Sequence, residues 1–404
     1  MASVTRLVGD LATAEDAVQE ACLAALTQRP TEGEPANSRA WLIGVARHKA
    51  LDRIRREARR GEREAAALRC QAAPPAPQPA DPMGDDQLSL IFMCCHPALD
   101  TASRIALTLR SVCGLSTREV ASLFLVGEPT MAKRLVRAKR KIREAGIPFR
   151  APQPEDLPAR LNAVLRVIYL VFTEGHKTSA GTELVRGDLC DTAIRLARVV
   201  AGLLPEEPEP AGLLALLLLT DARRAARVDA AGDLVLLDDQ DRSRWNRAMI
   251  TEGEAVLERA LCTGRPGPYQ LHAAIAACHS TAARATDTDW RQIALLYGEL
   301  LRHDPTPVIE ADRAIAIAMA EGPAAGLDIL DTVGHHPQLS RWPQLHIARA
   351  DLLRRLGRTA DARDAYRTAL ELHPSPPERA FIIKRVSQLR LEVDTIKNTP
   401  PSSA

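Results

Sequence analysis

The stretch GLSTREVASLFLVGEPTMAKRLVRAKRKIREAG, residues 114–146, has the pattern of two helices joined by a tight turn. Ser116 and Glu119 have the spacing of a capping box, in which each side chain satisfies a free backbone N–H of the first helical turn. Gly127 is expected to provide a turn with positive φ, and Pro129 suits the first turn of a second helix. The stretch therefore predicts a helix-turn-helix.

The second helix of this stretch divides into an apolar stripe and a cationic remainder. Helical spacing places four apolar residues on one stripe: Met131, Leu135, Ala138 and Ile142. The remaining surface is basic, with Lys133, Arg134, Arg137, Lys139, Arg140, Lys141 and Arg143. A basic second helix after a capped first helix favours insertion into the major groove of DNA. An exposed cationic helix that contacts nothing is the alternative.

Charge is distributed unevenly along the 404 residues, although the net charge is only +2. Residues 1–150 carry 23 Lys and Arg against 17 Asp and Glu, whereas the remainder has an excess of acidic residues. The N-terminal part is therefore expected to bind DNA. Aromatic residues make up 3% of the chain, and the abundance of Ala, Leu and Arg predicts an all-α protein of two or three domains.

Several features predict a cytoplasmic location. The first twenty residues lack the apolar core of a signal peptide, and the longest apolar run, 213–219, is far shorter than the ~20 residues of a membrane span. The eight cysteines are expected to be reduced thiols.

Two helices are predicted before the helix-turn-helix. In the first, Thr13 and Asp16 resemble a capping box, and an apolar stripe follows: Val18, Ala21, Cys22, Ala25 and Leu26. The second is expected to run from Asn37 or Ser38 to about Arg60, with a buried stripe of Ile43, Ala46, Ala50 and Ile54. Trp41 falls on its other face, where it would stack on unpaired bases or pack on a neighbouring helix.

Composition divides the chain into segments. The sequence QAAPPAPQPADP (71–82) is a Pro/Ala linker, and APQPEDLP (151–158) is a second break. We expect helical domains at 1–66, 87–148 and 159–396, linkers at 67–86 and 149–158, and a disordered tail at 397–404.

The C-terminal region contains a repeat. Residues of the tetratricopeptide pattern occur near its end: Trp342, Leu356, Gly357, Ala362, Tyr366, Ala369 and Pro374. A weaker copy precedes it, with Gly322 in the place of Gly357. Such repeats bury a core by stacking and offer a concave surface to partners.

Other combinations of polar residues do not indicate catalysis. Adjacent cysteines on a helix, as in Cys94-Cys95-His96, diverge and do not readily bind one metal, which leaves buried packing or a thiol sensor. The acidic segment from Asp238 to Trp245 lacks the spacing of a calcium loop, so a turn capped by carboxylates or a contact to the N-terminal domains is expected. No enzymatic activity, cofactor or metal is predicted.

The chain resembles bacterial sigma factors of the extracytoplasmic-function type. AEDAVQEACLAAL (14–26) resembles their core-polymerase-binding helix, and AWLIGVARHKALDRIRR (40–56) resembles the helix that melts and reads the −10 element. The helix-turn-helix resembles the domain that reads the −35 element. The segments YLVFTEGH (169–176), LLTDARRAAR (218–227), LLDDQDRSRW (236–245) and GPYQLHAAIAA (267–277) resemble the subgroup with a C-terminal tetratricopeptide-like domain.

Three departures from the family accompany this resemblance. Sigma factors of this type normally have a further helix before RLVGD (6–10), so either the start codon is misassigned or the first domain lacks a packing helix. His48 and Asp312 stand where asparagine is frequent.

The resemblance implies roles for individual residues. Polymerase would be bound through Asp16, Gln19 and Glu20. Trp41 would hold an unstacked base with His48 nearby, and phosphates would be bound by Arg47, Lys49, Arg53, Arg55 and Arg56. In the helix-turn-helix, base edges would be read by Thr130, Lys133, Arg134 and Arg137, and phosphates bound by Lys139, Arg140 and Arg143.

The implied function is that of a sigma factor, which directs core RNA polymerase to promoters with −35 and −10 elements. The C-terminal helical-repeat domain would modulate it, either by holding the N-terminal domains inactive or by adding contacts, and it offers a site for a protein partner. The alternative is a helix-turn-helix regulator that binds duplex DNA alone and has a tetratricopeptide sensor domain.

Overall fold

The computed structural model describes residues 1–27, 38–65, 83–124, 126–176, 185–229, 234–337 and 339–398. The backbone divides into two compact units, Met1–Ile168 and Tyr169–Ala404. Within the described residues both units are helical and have no β-strand beyond one isolated bridge between Val228 and Leu234. The all-α prediction is therefore confirmed. None of the described helices has the length and apolar character that a membrane span requires.

The first unit is built from helices of very different length. They are α1 (Ala2–Val8), α2 (Leu11–Thr27), α3 (Ser38–Ala65), α4 (Met83–Cys94), α5 (Thr101–Leu107), α6 (Thr117–Leu123) and α7 (Glu128–Glu144), with α8 (Leu157–His176) containing the division between the units. A π-helical turn, Thr108–Val112, follows α5 directly.

The N-terminus of α2 differs from the sequence prediction. The side chain of Asp10 accepts hydrogen bonds from the backbone N–H of Thr13 at 2.9 Å and from its hydroxyl at 2.8 Å. The predicted box of Thr13 and Asp16 is therefore wrong. Gly9 ends α1 in a left-handed conformation, so the turn into α2 comes earlier and Asp10 is the residue in the capping position.

The buried stripe of α2 is also displaced from the predicted one. Ala14, Ala17 and Ala21 pack with Val4 of α1 and with Ala46 and Ala50 of α3. Cys22, which the sequence pattern placed on this stripe, is exposed. Alanine side chains let the three helices approach closely, and the closest approach follows the alanines rather than the larger residues.

Ten further helices lie in the described part of the second unit. They are α9 (Gly187–Leu203), α10 (Pro208–Asp221), α11 (Arg247–Leu261), α12 (Pro268–Thr281), α13 (Trp290–His303), α14 (Pro307–Glu321), α15 (Pro323–Val333), α16 (Pro343–Arg355), α17 (Thr359–Glu371) and α18 (Pro376–Asn398). Short 3₁₀ turns lie between α10 and α11, at 224–226, 237–239 and 242–244. The consecutive leucines of α10 are buried on all sides, since α9, α11 and α12 surround it.

Successive helices of this unit pair as antiparallel hairpins. Gly326 lies so close to α14 that a Cβ on it would collide with the backbone oxygen of Ala314 and the side chain of Ala318. In the next hairpin, α16 and α17, Ala362 and Tyr366 are fully buried. The tetratricopeptide pattern of the sequence thus falls on α16 and α17 and its weaker copy on α14 and α15, and the two hairpins share one apolar core.

One carboxyl group of this unit lies in a poorly solvated position. Burial raises the pKa of Asp312, on α14, to about 6. Burial also raises the pKa of the Tyr169 and Tyr297 hydroxyls, and the charge of Asp312 raises both further. None of the hydrogen bonds or ion pairs among the described residues neutralises this carboxylate, so its ionisation opposes folding.

We predict that Asp312→Asn stabilises the protein at neutral pH. Because the folded pKa lies above the ordinary value, the wild-type protein binds the proton more tightly when folded and loses stability as pH rises from about 4 to 6. The melting temperature of Asp312→Asn should exceed that of the wild type at pH 7.5, by about 3 °C or more. The difference should shrink at pH 4.5. Asp328→Asn, at an exposed position of α15, is the control. A lower melting temperature at pH 7.5, or a difference independent of pH, would contradict this account.

Candidate nucleic-acid interface

The predicted helix-turn-helix consists of α6 and α7. The backbone N–H of Ser116 donates to Glu119 Oε2 at 2.6 Å, and the N–H of Glu119 donates to Ser116 Oγ at 3.2 Å. This reciprocal pair confirms the capping box. Gly127 was expected to have positive φ, which is wrong: it precedes α7 in an extended conformation, with φ −65° and ψ 146°. Pro129 follows in the first turn of α7, so the chain enters this helix through an extended N-cap.

The apolar stripe of α7 is buried as predicted. Met131, Leu135, Ala138 and Ile142 are each at most 6% exposed. This packing fixes which residues face outward. Five of the seven residues predicted to bind DNA from α7 are exposed on the remaining surface: Thr130, Lys133, Arg137, Arg140 and Arg143. Val136, between them, is 64% exposed and adds an apolar contact to this surface.

Arg134 is less available than its neighbours. Its guanidinium lies over the ring of Phe124 at 5.2 Å from the centroid, and the residue is half-buried. A cation held over an aromatic ring in this way is orientated by the ring face. Arg134 therefore links the end of α6 to α7, in addition to any contact with DNA.

Two basic residues of α7 that were expected to bind phosphates contact carboxylates of α2 instead. Lys139 Nζ forms a short ion pair with Glu15, and Arg143 Nε lies 3.2 Å from Asp10 Oδ1. Glu15 also pairs with Arg110 of the π-helical turn at 2.8 Å. Burial raises the pKa of Asp10, but its hydrogen bonds from Thr13 and the charge of Arg143 outweigh this and lower the pKa overall. Lys139 and Arg143 thus have acidic partners within the unit.

Glu15 and Arg110 are the residues that sequence reasoning missed. Glu15 is only 8% exposed, although it is charged. A signal was present, since Glu15 stands beside Ala14 on the face of α2 that packs inward. A carboxylate on such a face requires a cationic partner.

The basic helix α3 carries the second group of predicted DNA contacts. Arg47, His48, Lys49 and Arg55 are exposed, whereas Trp41 is half-buried. Arg53 pairs with Asp16 of α2 at 2.7 Å. Arg53 was expected to bind a phosphate and Asp16 to bind polymerase, and in this structure they bind each other. The side chains of Arg56 and Ile54 lie outside the described residues.

Of the other residues expected to bind polymerase, Gln19 and Glu20 are exposed on α2. They lie on the surface opposite the alanines that pack against α1 and α3. This position leaves both side chains accessible to another protein.

The two adjacent cysteines at the C-terminal end of α4, Cys94 and Cys95, are buried. Burial raises the pKa of the Cys95 thiol to about 11 and raises that of Cys94 well above its usual value. Cys95 Sγ lies 3.4 Å from the hydroxyl of Thr108. Thiols in this state are poor nucleophiles, which agrees with a packing role. In the second unit Asp241 accepts hydrogen bonds from the backbone and hydroxyl of Ser243, which confirms a turn capped by a carboxylate.

Four segments of the chain match known protein families. Residues 1–60 match sigma-70 region 2, and residues 89–142 match sigma-70 region 4. Residues 160–261 match a family of unknown function (DUF6596), and residues 343–382 match a tetratricopeptide repeat.

Individual relatives agree with these matches. An uncharacterised protein of Rhizobium meliloti (strain 1021) is 44% identical over 401 residues, which cover 98% of this chain and 94% of the relative. A probable extracytoplasmic-function RNA polymerase sigma factor, SigI of Mycobacterium tuberculosis, is 34% identical over 146 residues, which cover 35% of this chain and half of SigI. The probable RNA polymerase sigma factor RfaY of Xanthomonas campestris is 33% identical over 140 residues, about a third of each chain. The chain belongs to the extracytoplasmic-function type of sigma factors, with a C-terminal domain that contains a tetratricopeptide repeat.

Proposed function

We propose that this chain acts in the cytoplasm as a promoter-specificity subunit of RNA polymerase, whose activity the C-terminal helical domain modulates. It is not itself an enzyme. The observation that carries the proposal is the exposed row of Thr130, Lys133, Arg137 and Arg140 on a helix whose opposite face is buried. Such a row fits a major groove, with side chains near the start of the helix reading base edges.

The remaining assignments follow the same division. Residues 1–66 would bind polymerase and the −10 element, residues 87–148 the −35 element, and residues 159–396 a regulatory partner. Arg47, His48 and Lys49 are exposed on α3 and would bind the separated strands, with Trp41 as a stacking platform. Gln19 and Glu20 would bind the core enzyme.

The acidic partners of Lys139 and Arg143 add a condition. In this structure Lys139 and Arg143 form ion pairs with Glu15 and Asp10. DNA phosphates therefore have to displace these carboxylates before they can bind the two cations. The N-terminal unit therefore holds part of its own cationic surface closed before it binds a promoter.

We predict that replacing Lys133 and Arg137 together by alanine abolishes promoter-specific binding. These exposed side chains make the proposed contacts with base edges, each of which contributes about 1–3 kcal/mol of discrimination. In an electrophoretic mobility assay with the polymerase holoenzyme, promoter affinity should fall at least 10-fold while co-purification with core polymerase is unchanged. Arg259→Ala, at an exposed position of α11, is the control. Equal loss of promoter and polymerase binding would refute the assignment.

Replacing Gln19 and Glu20 together by alanine should weaken binding to core polymerase and leave the folding of the chain unchanged. Core-polymerase affinity, measured by biolayer interferometry, is expected to fall several-fold, because exposed polar groups of the proposed interface are removed. The melting temperature should stay within about 1 °C of the wild type. Glu258→Ala, an equally exposed glutamate of α11, should leave the affinity unchanged. Unaltered affinity in the double variant would place the polymerase contact elsewhere.

Removing the carboxylate that pairs with Lys139 should strengthen DNA binding. Glu15→Gln frees both Lys139 and Arg110 for phosphates, so we expect holoenzyme affinity for promoter DNA to rise about 3-fold or more. Its salt dependence should steepen by about one unit of slope per added contact. Glu258→Gln is the matched control, since it makes the same charge change at an exposed position of α11, outside the proposed DNA-binding surface. A folded Glu15→Gln protein with unchanged or weaker binding would exclude the closed arrangement.

A further inference from the structure

The second unit contains a group of cationic and imidazole side chains that the sigma-factor role does not explain. It consists of His176 at the end of α8, Arg223 and Arg227 after α10, Arg242 in a 3₁₀ turn, and His279 near the end of α12. We refer to these five residues as the arginine cluster. They come from the segments that match the family of unknown function and from α12, which follows it.

Two arginines of the cluster are held by the ends of helices. Arg242 Nη1 donates to the backbone oxygens of His279 and Ala282, each at 2.7 Å. Arg227 donates to the backbone oxygen of His176. Carbonyls at a helix C-terminus carry partial negative charge, so these contacts explain why both arginines are fixed in place. These carbonyl groups neutralise only part of the positive charge of the arginine cluster.

The chain neutralises one arginine of this turn and leaves another without a carboxylate. Arg224 pairs with Asp191 at 2.6 Å and with Asp221 at 2.5 Å. Arg223, its neighbour, has no ion pair with any described residue. Its burial, together with the charges of Arg227 and Arg242, lowers its pKa to about 10. A guanidinium surrounded by other cations in a poorly solvated position is stabilised by an anion.

Polar atoms around the cluster also lack partners. Four buried nitrogen atoms have no hydrogen bond to a described residue: His176 Nδ1, Arg242 Nη2, Trp245 Nε1 and His279 Nδ1. Arg242 is 9% exposed, and its guanidinium lies over the ring of Trp245, 4.4 Å from the centroid. Burial and the neighbouring arginines lower the pKa of His279 to about 4, so this ring is neutral at pH 7 and able to donate one hydrogen bond.

These observations have a simple structural alternative, in which the arginines serve only as helix caps. That alternative fits Arg227 and Arg242. It does not fit Arg223, whose side chain has no hydrogen bond to a helix end within the described residues, and it leaves the four nitrogen atoms unexplained. Buried donors without partners are rare in folded proteins and each costs about 1–3 kcal/mol.

We propose that the arginine cluster is a binding site for a small oxyanion, the phosphate or carboxylate group of a metabolite-sized ligand. Arg223 supplies the principal charge, and Arg242, Trp245 and His279 supply hydrogen-bond donors. Planar guanidinium groups bind both kinds of oxyanion through paired N–H donors. The site lies wholly within the C-terminal unit. Binding of the oxyanion there would be the chemical signal to which the proposed regulatory domain responds.

The test titrates the full-length protein with inorganic phosphate, and in parallel with citrate, at pH 7.5. Sodium chloride of matched ionic strength is the reference. Trp245 lies against Arg242, so binding should change the tryptophan emission and saturate with concentration, and the melting temperature should rise by about 2–4 °C at saturation. A response to phosphate alone or to citrate alone identifies the kind of oxyanion. No saturable response to either, beyond that of chloride, overturns the proposal without depending on any variant.

Variants then locate the site. Arg223→Met should abolish the anion-dependent rise in melting temperature without lowering the melting temperature in chloride, because it removes a charge that other cations repel. Arg223→Lys should retain part of the rise. Arg198→Met, which removes an exposed pair with Glu252, should retain all of it. If Arg223→Met keeps the full response, the site is not here. Failure at this site leaves the sigma-factor proposal unaffected, since that is measured by promoter and polymerase binding.

Discussion

The buried carboxylate of Glu15 determines how the N-terminal unit is arranged. An ionised carboxylate that is 8% exposed carries a desolvation penalty of several kcal/mol unless cations surround it. Arg110 and Lys139 supply those cations, so α2, the π-helical turn and α7 have to lie together around one point. Arg6 pairs with Asp86 at 3.1 Å and in the same way joins α1 to α4. Three ion pairs, made by the two buried carboxylates Glu15 and Asp86, thus orientate the helices, while alanines and the stripe of α7 provide the apolar area.

This arrangement gives α7 three distinct surfaces. Its apolar stripe is buried, its edge at Lys139 and Arg143 faces carboxylates of α2, and its remaining edge at Lys133 and Arg137 is exposed. Only the third surface is ready for DNA in the isolated chain. The proposed sequence-reading residues Lys133 and Arg137 lie there, whereas each residue assigned to phosphates has a carboxylate partner: Lys139, Arg140 and Arg143. Base recognition and electrostatic affinity are therefore carried by different parts of the same helix.

Local patterns in the sequence predicted local structure well. The capping box at Ser116 and the buried stripe of α7 each depend on residues a few positions apart, and both were predicted correctly. The cap of α2 and the φ angle of Gly127 were not, because Gly9 moved the helix start and because a glycine fits an extended N-cap as readily as a left-handed turn. The partners of Glu15 could not be predicted from the sequence for a different reason. Arg110 and Lys139 lie about a hundred residues away in the chain, and no helical period relates residues at that separation. The arginine cluster was hidden for the same reason, since its members come from four separate segments.

Two ion pairs join α7 to carboxylates near the start of α2, Arg143 with Asp10 and Lys139 with Glu15. Their different exposure determines which of them DNA would break first. The Arg143 side chain is 63% exposed, so its pair with Asp10 is weakened by salt and contributes little to stability. The side chains of Glu15 and Lys139 are 10% and 17% exposed, and solvent ions screen their attraction much less. A duplex carries one negative charge per ~1.7 Å of axis, which is enough to compete for an exposed arginine. When Lys139 is released, the buried carboxylate of Glu15 keeps only Arg110 as a partner, and part of its desolvation penalty is no longer offset. Breaking the exposed pair of Arg143 and Asp10 carries no such penalty. On the proposed function, Arg143 therefore binds DNA first, and Lys139 binds DNA only after its ion pair with Glu15 has been broken.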